Sequence, residues 1–356
     1  MSTQKRVRIL TLDGGGIRGI IPATIIQYAE EYLAKKKPGT TIADHFDLIA
    51  GTSTGGLLAG FYLAPQDGDP TKAKYKADEA LKIYQDQGYN IFNGSKRSKW
   101  KRLWGLLNAT AFSPKFIESI LHEKFGDLKM SELIKPCLIT TYDMNMKSSF
   151  FFTSMEDTQH REFYVRDVLR STSAAPTYFP PARVKNLAPS PRPDRDPMSM
   201  INLDGGVFAN NPTMCAYAEA RNTNFESRGV NEPTASQMSI LSIATGGGGF
   251  ELKGKHKSNK WNLLKWATSI PEIMMDGSVD TVAFQMQEIN GTLGEQHRGS
   301  YHRIKVPDNA RIYASDMSDA SPGNIKDLVE AGKRTLDAAI ANGLNDYLDS
   351  LLDGDE

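Results

Sequence analysis

Three glycine-rich motifs hold the residues of this 356-residue chain whose types and spacing could do chemistry. The first is DGGGIRG, from Asp13 to Gly19, which lies between a predicted strand and a predicted helix. Glycines at such a junction leave backbone N–H groups exposed at the positive end of a helix, where they stabilise an anion. Gly14, Gly16 and Gly19 also match the dinucleotide-binding fingerprint, so a nucleotide-dependent enzyme is one interpretation.

The second motif is GTSTG, from Gly51 to Gly55, a G-x-S-x-G pattern after the apolar segment 47–50. A dinucleotide-binding fold would end that strand in a ribose-binding acid, which is missing here. Glycines on both sides of a serine instead permit a strained strand-to-helix turn, which predicts that Ser53 is a nucleophile. The alternative is that Ser53 or Thr54 only caps the next helix, a role that does not require both glycines.

A serine nucleophile needs a base, and the histidines are poor candidates. In the chain order of α/β-hydrolases the base would be His256, His297 or His302. His256 lies in a basic stretch, and His302 lies in a strand pattern, where it packs or faces water.

The third motif, NLDGG at residues 202–206, supplies a carboxylate instead. Asp204 follows a predicted strand, and Gly205 and Gly206 follow it directly. Strand ends at one edge of a parallel sheet converge, which would bring Asp204 to Ser53 although 151 residues separate them. Taken alone, the motif is also typical of an Asp-Gly turn.

Composition and charge exclude several classes of protein. With 40% hydrophobic and 24% charged residues, the chain is not disordered, collagenous or a coiled coil. Lys plus Arg equals Asp plus Glu at 42 each, so no global charge favours a nucleic acid polymer. Two cysteines, no secretory leader and no long apolar run predict a cytoplasmic protein that at most touches a membrane. No convincing metal-ligand or calcium-loop cluster stands out, so we expect no metal site.

The elements that must position these motifs alternate between strands and helices, which predicts an α/β fold with a mostly parallel sheet. The predicted strands are Val7 to Leu12, Phe46 to Ala50, Pro136 to Thr141, Met200 to Leu203, Met238 to Ala244 and Tyr301 to Val306. Helices are predicted after Gly16, after Ser113 and Pro114, and after Asn211 and Pro212. Four prolines between Pro189 and Pro197 predict a surface excursion.

Taken in this order and spacing, the three motifs resemble those of the patatin-like phospholipases. The resemblance extends over about the first 345 residues, and it is strongest in six stretches: Asp13 to Thr24, Asp47 to Leu58, Ser171 to Pro181, Asn202 to Gly206, Leu241 to Thr245 and Met317 to Ala320. It implies a three-layer α/β/α patatin fold, a modified α/β-hydrolase architecture. The implied organisation is one domain over residues 1–345 and an acidic tail over 346–356.

The resemblance also implies lipid acyl-ester hydrolysis by a Ser-Asp dyad, with release of fatty acid and lysolipid and without a cofactor. By motif, Ser53 is the nucleophile, Asp204 the base, and Gly14, Gly15 and Gly16 the oxyanion hole. Arg18 either contacts a substrate phosphate or pairs with a carboxylate that fixes the loop, and the second role is favoured.

The expected partner is the surface of a phospholipid bilayer, at the inner face of the membrane. Two basic, tryptophan-containing stretches, 96–104 and 260–266, fit such an interface or a solvated helix with buried Trp. Some bacterial relatives in this family are antiphage effectors switched on by a cyclic nucleotide, so such an activator is a further expectation. The oligomeric state is not predicted, and a catalytically silent lipid- or nucleotide-binding module stays an alternative.

Overall fold

The computed structural model describes residues 5–93, 112–247, 263–294 and 300–352. Its strands are β1 (Val7–Leu12), β2 (Leu48–Gly51), β3 (Pro65–Gln66), β4 (Asp69–Ala73), β5 (Cys137–Asp143), β6 (Ser148–Thr153), β7 (Ala182–Lys185), β8 (Ser199–Asp204), β9 (Asn224–Phe225), β10 (Val230–Asn231), β11 (Met238–Ile243) and β12 (Tyr301–Ile304). Its α-helices are α1 (Ile20–Lys36), α2 (Thr54–Leu63), α3 (Ala77–Asn93), α4 (Lys115–Phe125), α5 (Val165–Thr172), α6 (Gly206–Ala209), α7 (Thr213–Arg221), α8 (Leu263–Gly291), α9 (Pro322–Ala341) and α10 (Leu344–Ser350).

Eight strands form the central sheet, in the order β12-β11-β1-β2-β5-β8-β7 with β6 paired to β5. The five strands β12, β11, β1, β2 and β5 run parallel to one another. Every residue of β1 is buried, because helices cover both faces of a parallel sheet. The predicted mostly parallel α/β sheet is therefore confirmed.

Two hydrophobic clusters, one on each face of the sheet, make the three layers. Leu10 and Leu12 of β1 belong to the cluster formed with α1, α2, α3 and α9. Val7 and Ile9 belong to the opposite cluster, formed with α7 and α8. This division follows from the strand geometry, since successive side chains point to opposite faces.

The antiparallel part of the sheet was not predicted. β6 and β8 both run antiparallel to β5, and β7 runs antiparallel to β8. The predicted strand at Met200 to Leu203 is present, but its direction is the reverse of the direction that a purely parallel sheet would give it. β6 and β7 lie in segments where no strand was expected.

The proline-rich segment lies on the surface, as predicted, and one buried acid holds it there. Asp196 is fully buried and makes ion pairs with Arg161 and Arg192. Several residues from Pro189 to Arg195 are exposed. The segment then enters β8 directly.

The C-terminal boundary differs from the expected one. α10 packs Leu344, Tyr347 and Leu348 into the core, and Leu351 beyond it is also buried. Residues 346–352 are thus part of the packed fold and do not form an acidic tail, because the apolar residues at helical spacing outweigh the acidic ones between them. The end of the predicted tail, residues 353–356, lies outside the described residues.

Candidate active site

Ser53 lies on a strained turn between β2 and α2. Its backbone has φ 55° and ψ −123°, in the left-handed region that non-glycine residues rarely adopt. A Cβ at Gly51 would overlap the backbone of Gly55, and a Cβ at Gly55 would overlap the backbone of Leu12. The turn therefore requires both glycines. The Ser53 side chain makes no helix-capping hydrogen bond, and Thr54 Oγ1 donates to the Tyr84 hydroxyl over 2.6 Å, so neither side chain is seen to cap α2.

Threonine hydroxyls that the sequence analysis missed hold this turn. The N–H of Ser53 donates to Thr172 Oγ1 over 2.8 Å, and that hydroxyl donates to the carbonyl of Thr140 over 2.8 Å. Thr52 Oγ1 lies 2.6 Å from Thr140 Oγ1 and donates to the carbonyl of Ala209 over 2.7 Å. These side chains are all buried, so their hydrogen bonds fix the backbone of the turn. Thr172 lies in the family-like stretch Ser171 to Pro181, and this was the only indication in the sequence that it contributes to the site.

Asp204 reaches Ser53 by a different route from the predicted one. In β2, Gly51 is opposite Ile139 of β5, and in the antiparallel β8, Asp204 is opposite Thr141 of β5. The ends of β2 and β8 therefore meet head to head beside β5. The predicted convergence of parallel strand ends is wrong for β8, although the two residues do meet.

The Ser53 hydroxyl lies beside the Asp204 carboxylate, and both residues line the same cavity. The backbone N–H of Gly206 donates to Asp204 Oδ1 over 2.7 Å. Burial raises the pKa of Asp204 to about 7, although the Ser53 hydroxyl and the Gly206 N–H both act in the opposite direction. A carboxylate with a pKa near neutral is both largely ionised and basic enough to accept a proton at physiological pH.

The glycine loop offers fewer free amides than the motif suggested. The N–H of Gly14 donates to the carbonyl of Asn210 over 3.0 Å, so it is not available to an oxyanion. The N–H groups of Gly15 and Gly16 have no acceptor among the described residues. Gly16 lines the same cavity as Ser53 and Asp204, and its φ of +58° favours glycine. The predicted set of three is thus reduced to Gly15 and Gly16.

Two other motif glycines allow close packing between the three motifs. A Cβ at Gly19 would overlap the Thr54 hydroxyl, and a Cβ at Gly205 would overlap the Thr140 hydroxyl. The glycine loop, the serine turn and the end of β8 consequently lie against one another.

Arg18 fixes the glycine loop without pairing with an acid. Its Nε donates to the carbonyl of Gly15 over 3.3 Å, and within the described part of the chain it makes no ion pair. No carboxylate of the described residues lies at ion-pair distance from Arg18, although its charge opposes the burial that raises the pKa of Glu272 and Asp276. Its side chain is buried, and this burial leaves Nη1 without a hydrogen-bond partner in that part of the chain.

The acid–base pair that does anchor the loop is Asp13 with Arg303 of β12. Arg303 Nη1 donates to Asp13 Oδ1 and to Ser242 Oγ, each over 2.8 Å, and Nη2 contacts Asp13 Oδ2. Both side chains are almost fully buried. No spacing rule connects residues 290 positions apart, so the sequence analysis missed Arg303.

A cavity of about 290 Å³ opens on the Ser53 hydroxyl. Its walls come from α2, α3, α4, α8 and the segment 173–179. The apolar lining residues are Leu57, Phe61, Ile83, Ile91, Phe92, Ile117, Ile120, Leu121, Ala175, Pro176, Phe179, Val207, Ile270, Met274, Met275 and Met317. Among the described residues that line it, Asp204 is the single ionisable acid and there is no lysine, arginine or histidine. Such a cavity suits a hydrocarbon chain better than a charged group.

The histidine alternatives find little support. His302 lies on β12, where its ring packs 5.5 Å from the ring of Tyr347, and burial lowers its pKa. His256 and His297 lie outside the described residues, as do the basic stretch 96–104 and residues 260–262 of the second stretch. The rest of that second stretch, residues 263–266, begins α8.

The three-layer α/β/α architecture and the strained serine turn are typical of α/β-hydrolase-like proteins. A family model for patatin-like phospholipase matches residues 10–217. Patatin-like protein 2 of Oryza sativa subsp. indica is 31% identical over 355 residues, which span 95% of this chain and 85% of that protein. Patatin-like protein 2 of Arabidopsis thaliana is 32% identical and spans 94% and 84%. The chain belongs to the patatin-like phospholipase family.

Membership supports lipid acyl hydrolysis as the general activity. Another relative, from Solanum tuberosum, is 28% identical over 94% of this chain and 87% of its own length, and it is named probable inactive patatin-3-Kuras 1. The family name alone therefore does not decide turnover, and the geometry of each site must.

The described ranges contain neither a helix that could cross a membrane nor a group of side chains that could bind a metal ion. No helix there is both long enough and apolar enough to cross a bilayer. No group of three or more His, Cys, Asp or Glu side chains in those ranges could hold a metal ion.

Proposed function

We propose that this protein hydrolyses acyl esters of membrane glycerophospholipids with Ser53 as the nucleophile and Asp204 as the general base. The observation that carries the proposal is the position of the Ser53 hydroxyl beside a buried carboxylate whose pKa is raised to about 7, inside an apolar cavity that both residues line. A serine that only capped a helix would have no need of this partner.

In the acylation step, the ionised Asp204 accepts the hydroxyl proton as Ser53 Oγ attacks the ester carbonyl carbon. The carbonyl π electrons move to oxygen, and the tetrahedral intermediate collapses with loss of the lysolipid alkoxide. That alkoxide takes the proton back from Asp204. The product is an acyl-enzyme with the acyl chain in the apolar cavity.

The amides of Gly15 and Gly16 are the donors that we assign to the developing oxyanion. Both lack a protein acceptor within the described residues, and Gly16 shares the cavity with Ser53. One oxyanion donor is typically worth about 10²–10³ in rate. In the deacylation step, Asp204 accepts a proton from water as the water oxygen attacks the acyl carbonyl carbon. The Ser53 oxygen takes that proton from Asp204 as it leaves, and the fatty acid is released.

The test is covalent labelling combined with lipid turnover. A fluorophosphonate should label Ser53, and mass spectrometry should detect fatty acid and lysolipid from defined phosphatidylcholine. Ser53→Ala and Asp204→Asn should abolish turnover, whereas His302→Ala should retain most of it. Turnover that survives Ser53→Ala would refute the proposal. Binding of lipid by the wild type without turnover would favour a silent lipid-binding module, and thermal stabilisation by a dinucleotide would favour an oxidoreductase.

Action at the inner face of a cytoplasmic membrane, activation by a cyclic nucleotide and a role in antiviral defence stay predictions from the family resemblance. Regulation can be tested by measuring phospholipid cleavage with and without a panel of cyclic di- and trinucleotides. Equal cleavage throughout would eliminate the activator.

A further inference from the structure

One face of α8 exposes apolar side chains to solvent. Ile270, Ile273, Met274 and Phe284 are all exposed, and Gly277 and Thr281 continue the same face. These six residues follow the helical spacing i, i+3, i+4, i+7, i+11 and i+14, and we call them the α8 stripe. The stripe carries no charge before Glu288, one turn beyond its end. An uncharged face of this length that exposes four large apolar side chains indicates a contact surface.

The opposite face of α8 is fixed to the domain beside the candidate site. Ala283 and Met286 are buried, and the Ser278 hydroxyl accepts the N–H of Asn210 over 3.2 Å. The methyl carbon of Met275 lies 3.6 Å from the position that a Cβ on Gly206 would occupy. The stripe therefore points outward because the other face is already packed.

The stripe is continuous with the cavity that holds Ser53. Ile270 and Met274 are both exposed to solvent and part of the cavity lining. An acyl chain that entered between them would contact apolar groups from the surface to the serine.

Charge on α8 argues for neutral lipid. The side chains that the structure describes from residue 272 to 291 include Glu272, Asp276, Asp280 and Glu288, and no lysine or arginine. Electrostatic attraction to anionic headgroups therefore does not hold residues 272–291 of this helix at a membrane, and insertion of apolar side chains is the force that remains for this part.

We propose that the α8 stripe docks on the surface of a phospholipid bilayer and opens the Ser53 cavity directly to the hydrocarbon layer. This inference rests on the proposed lipid acyl hydrolysis and names the surface through which the substrate arrives. The basic stretches 96–104 and 260–266 stay a separate prediction, because their side chains lie outside the described part of the chain.

The first experiment measures docking without chemistry. Full-length Ser53→Ala protein is mixed with zwitterionic phosphatidylcholine vesicles, and the bound fraction is measured by flotation at low and high salt. Adding both Ile273→Ser and Phe284→Ser to the Ser53→Ala protein should weaken vesicle binding about tenfold or more, and salt should have little effect on the binding. Neither side chain lines the cavity. Met198→Ser is the matched control, because Met198 is 64% exposed and Phe284 is 62% exposed.

The second experiment separates docking from catalysis. In the otherwise wild-type enzyme, the Ile273→Ser and Phe284→Ser pair should hydrolyse a soluble short-chain ester at the wild-type rate and vesicle phosphatidylcholine at least tenfold more slowly. If the wild type hydrolyses neither substrate, the proposed function fails. If both enzymes hydrolyse vesicles equally, docking by α8 is overturned and the function stands.

Two further outcomes also overturn the docking proposal. One is binding that depends on anionic lipid and disappears at high salt, which would indicate a basic surface. The other is a change from dimer to monomer in sedimentation of the Ser variants with unchanged vesicle binding, which would make the stripe a contact between two copies of this chain.

Discussion

Burial has two opposite effects on Asp204. It raises the pKa of the carboxyl to about 7, which strengthens it as a base, and it also lowers the fraction that is ionised in mildly acidic solution. The Gly206 amide and the Ser53 hydroxyl stabilise the ionised form and keep the pKa from rising further. With a pKa of about 7, the Asp204 carboxylate suits the role of the proposed general base at neutral pH.

This balance predicts the pH profile. Because Asp204 must be ionised to accept the serine proton, kcat/KM for a soluble ester should fall about tenfold per pH unit below pH 7 and be level above it. The profile of His302→Ala should have the same midpoint, since that ring packs on Tyr347. A plateau that extends down to pH 5 would show that the general base is a carboxylate with an ordinary pKa.

Thr172 is a positioning residue, because it holds the N–H of Ser53 and touches no reacting atom. Thr172→Val removes that acceptor, and we expect kcat/KM for a soluble ester to fall about tenfold at nearly unchanged KM. Thr172→Ser keeps the hydroxyl and should restore most of the rate. Thr335→Val is the control, because Thr335 is equally buried and its hydroxyl donates to a helix carbonyl in α9. An equal kcat loss in the Thr335→Val control would argue for a general stability effect.

At the scale of elements, strand composition predicted where most central strands lie but not how all of them run. β1 and β11 are buried at every position, which matches their parallel pairing and their mostly apolar sequences, although two polar or charged residues in each strand are also buried. In β8 the buried positions alternate, and they include Asn202 and Asp204, while Ile201 and Leu203 are half-buried. This polar-inside alternation is visible in the sequence and could have indicated both an antiparallel strand and a site.

Other features of the site could not be read from the sequence. The Arg303 partner of Asp13 and the Thr172 acceptor for Ser53 come from elements far away in the chain. Local patterns report periodicity and turn chemistry, whereas such contacts depend on the sheet order. The commitment of the Gly14 amide to Asn210 belongs to the same class.

The ion pair between the glycine loop and β12 gives a prediction about stability. Arg303→Met leaves the Asp13 carboxylate buried without its cation, and we expect the free energy of unfolding to fall by about 3–5 kcal/mol in urea titrations. Adding Asp13→Asn should recover a large part of the loss. Lys82→Met, which breaks an exposed pair with Asp78, should change stability by less than about 1 kcal/mol. Similar losses for both single variants would contradict a special role for the buried pair.

For the whole molecule, the C-terminal helix closes the core. α10 packs against α1 and α9 through side chains that the acidic composition of the last residues concealed. The fold therefore extends at least seven residues past the boundary that the family resemblance implied, from 345 to 352.

This packing can be tested within one helix. Leu348→Ala should lower the free energy of unfolding by about 2–5 kcal/mol, because Leu348 is fully buried. Asp346→Ala, two positions earlier and exposed, should change it by less than about 0.5 kcal/mol. If both substitutions are silent in thermal unfolding, residues beyond 345 do behave as a tail.

The head-to-head meeting of β2 and β8 also affects how the protein is made. The ribosome releases the serine turn about 150 residues before the strand that carries its carboxylate. A nascent or truncated chain that ends before β8 therefore contains the Ser53 hydroxyl but lacks Asp204. If Asp204 is the base that we propose, only a chain that has completed β8 can hydrolyse esters, and fragments that end before β8 should have no esterase activity.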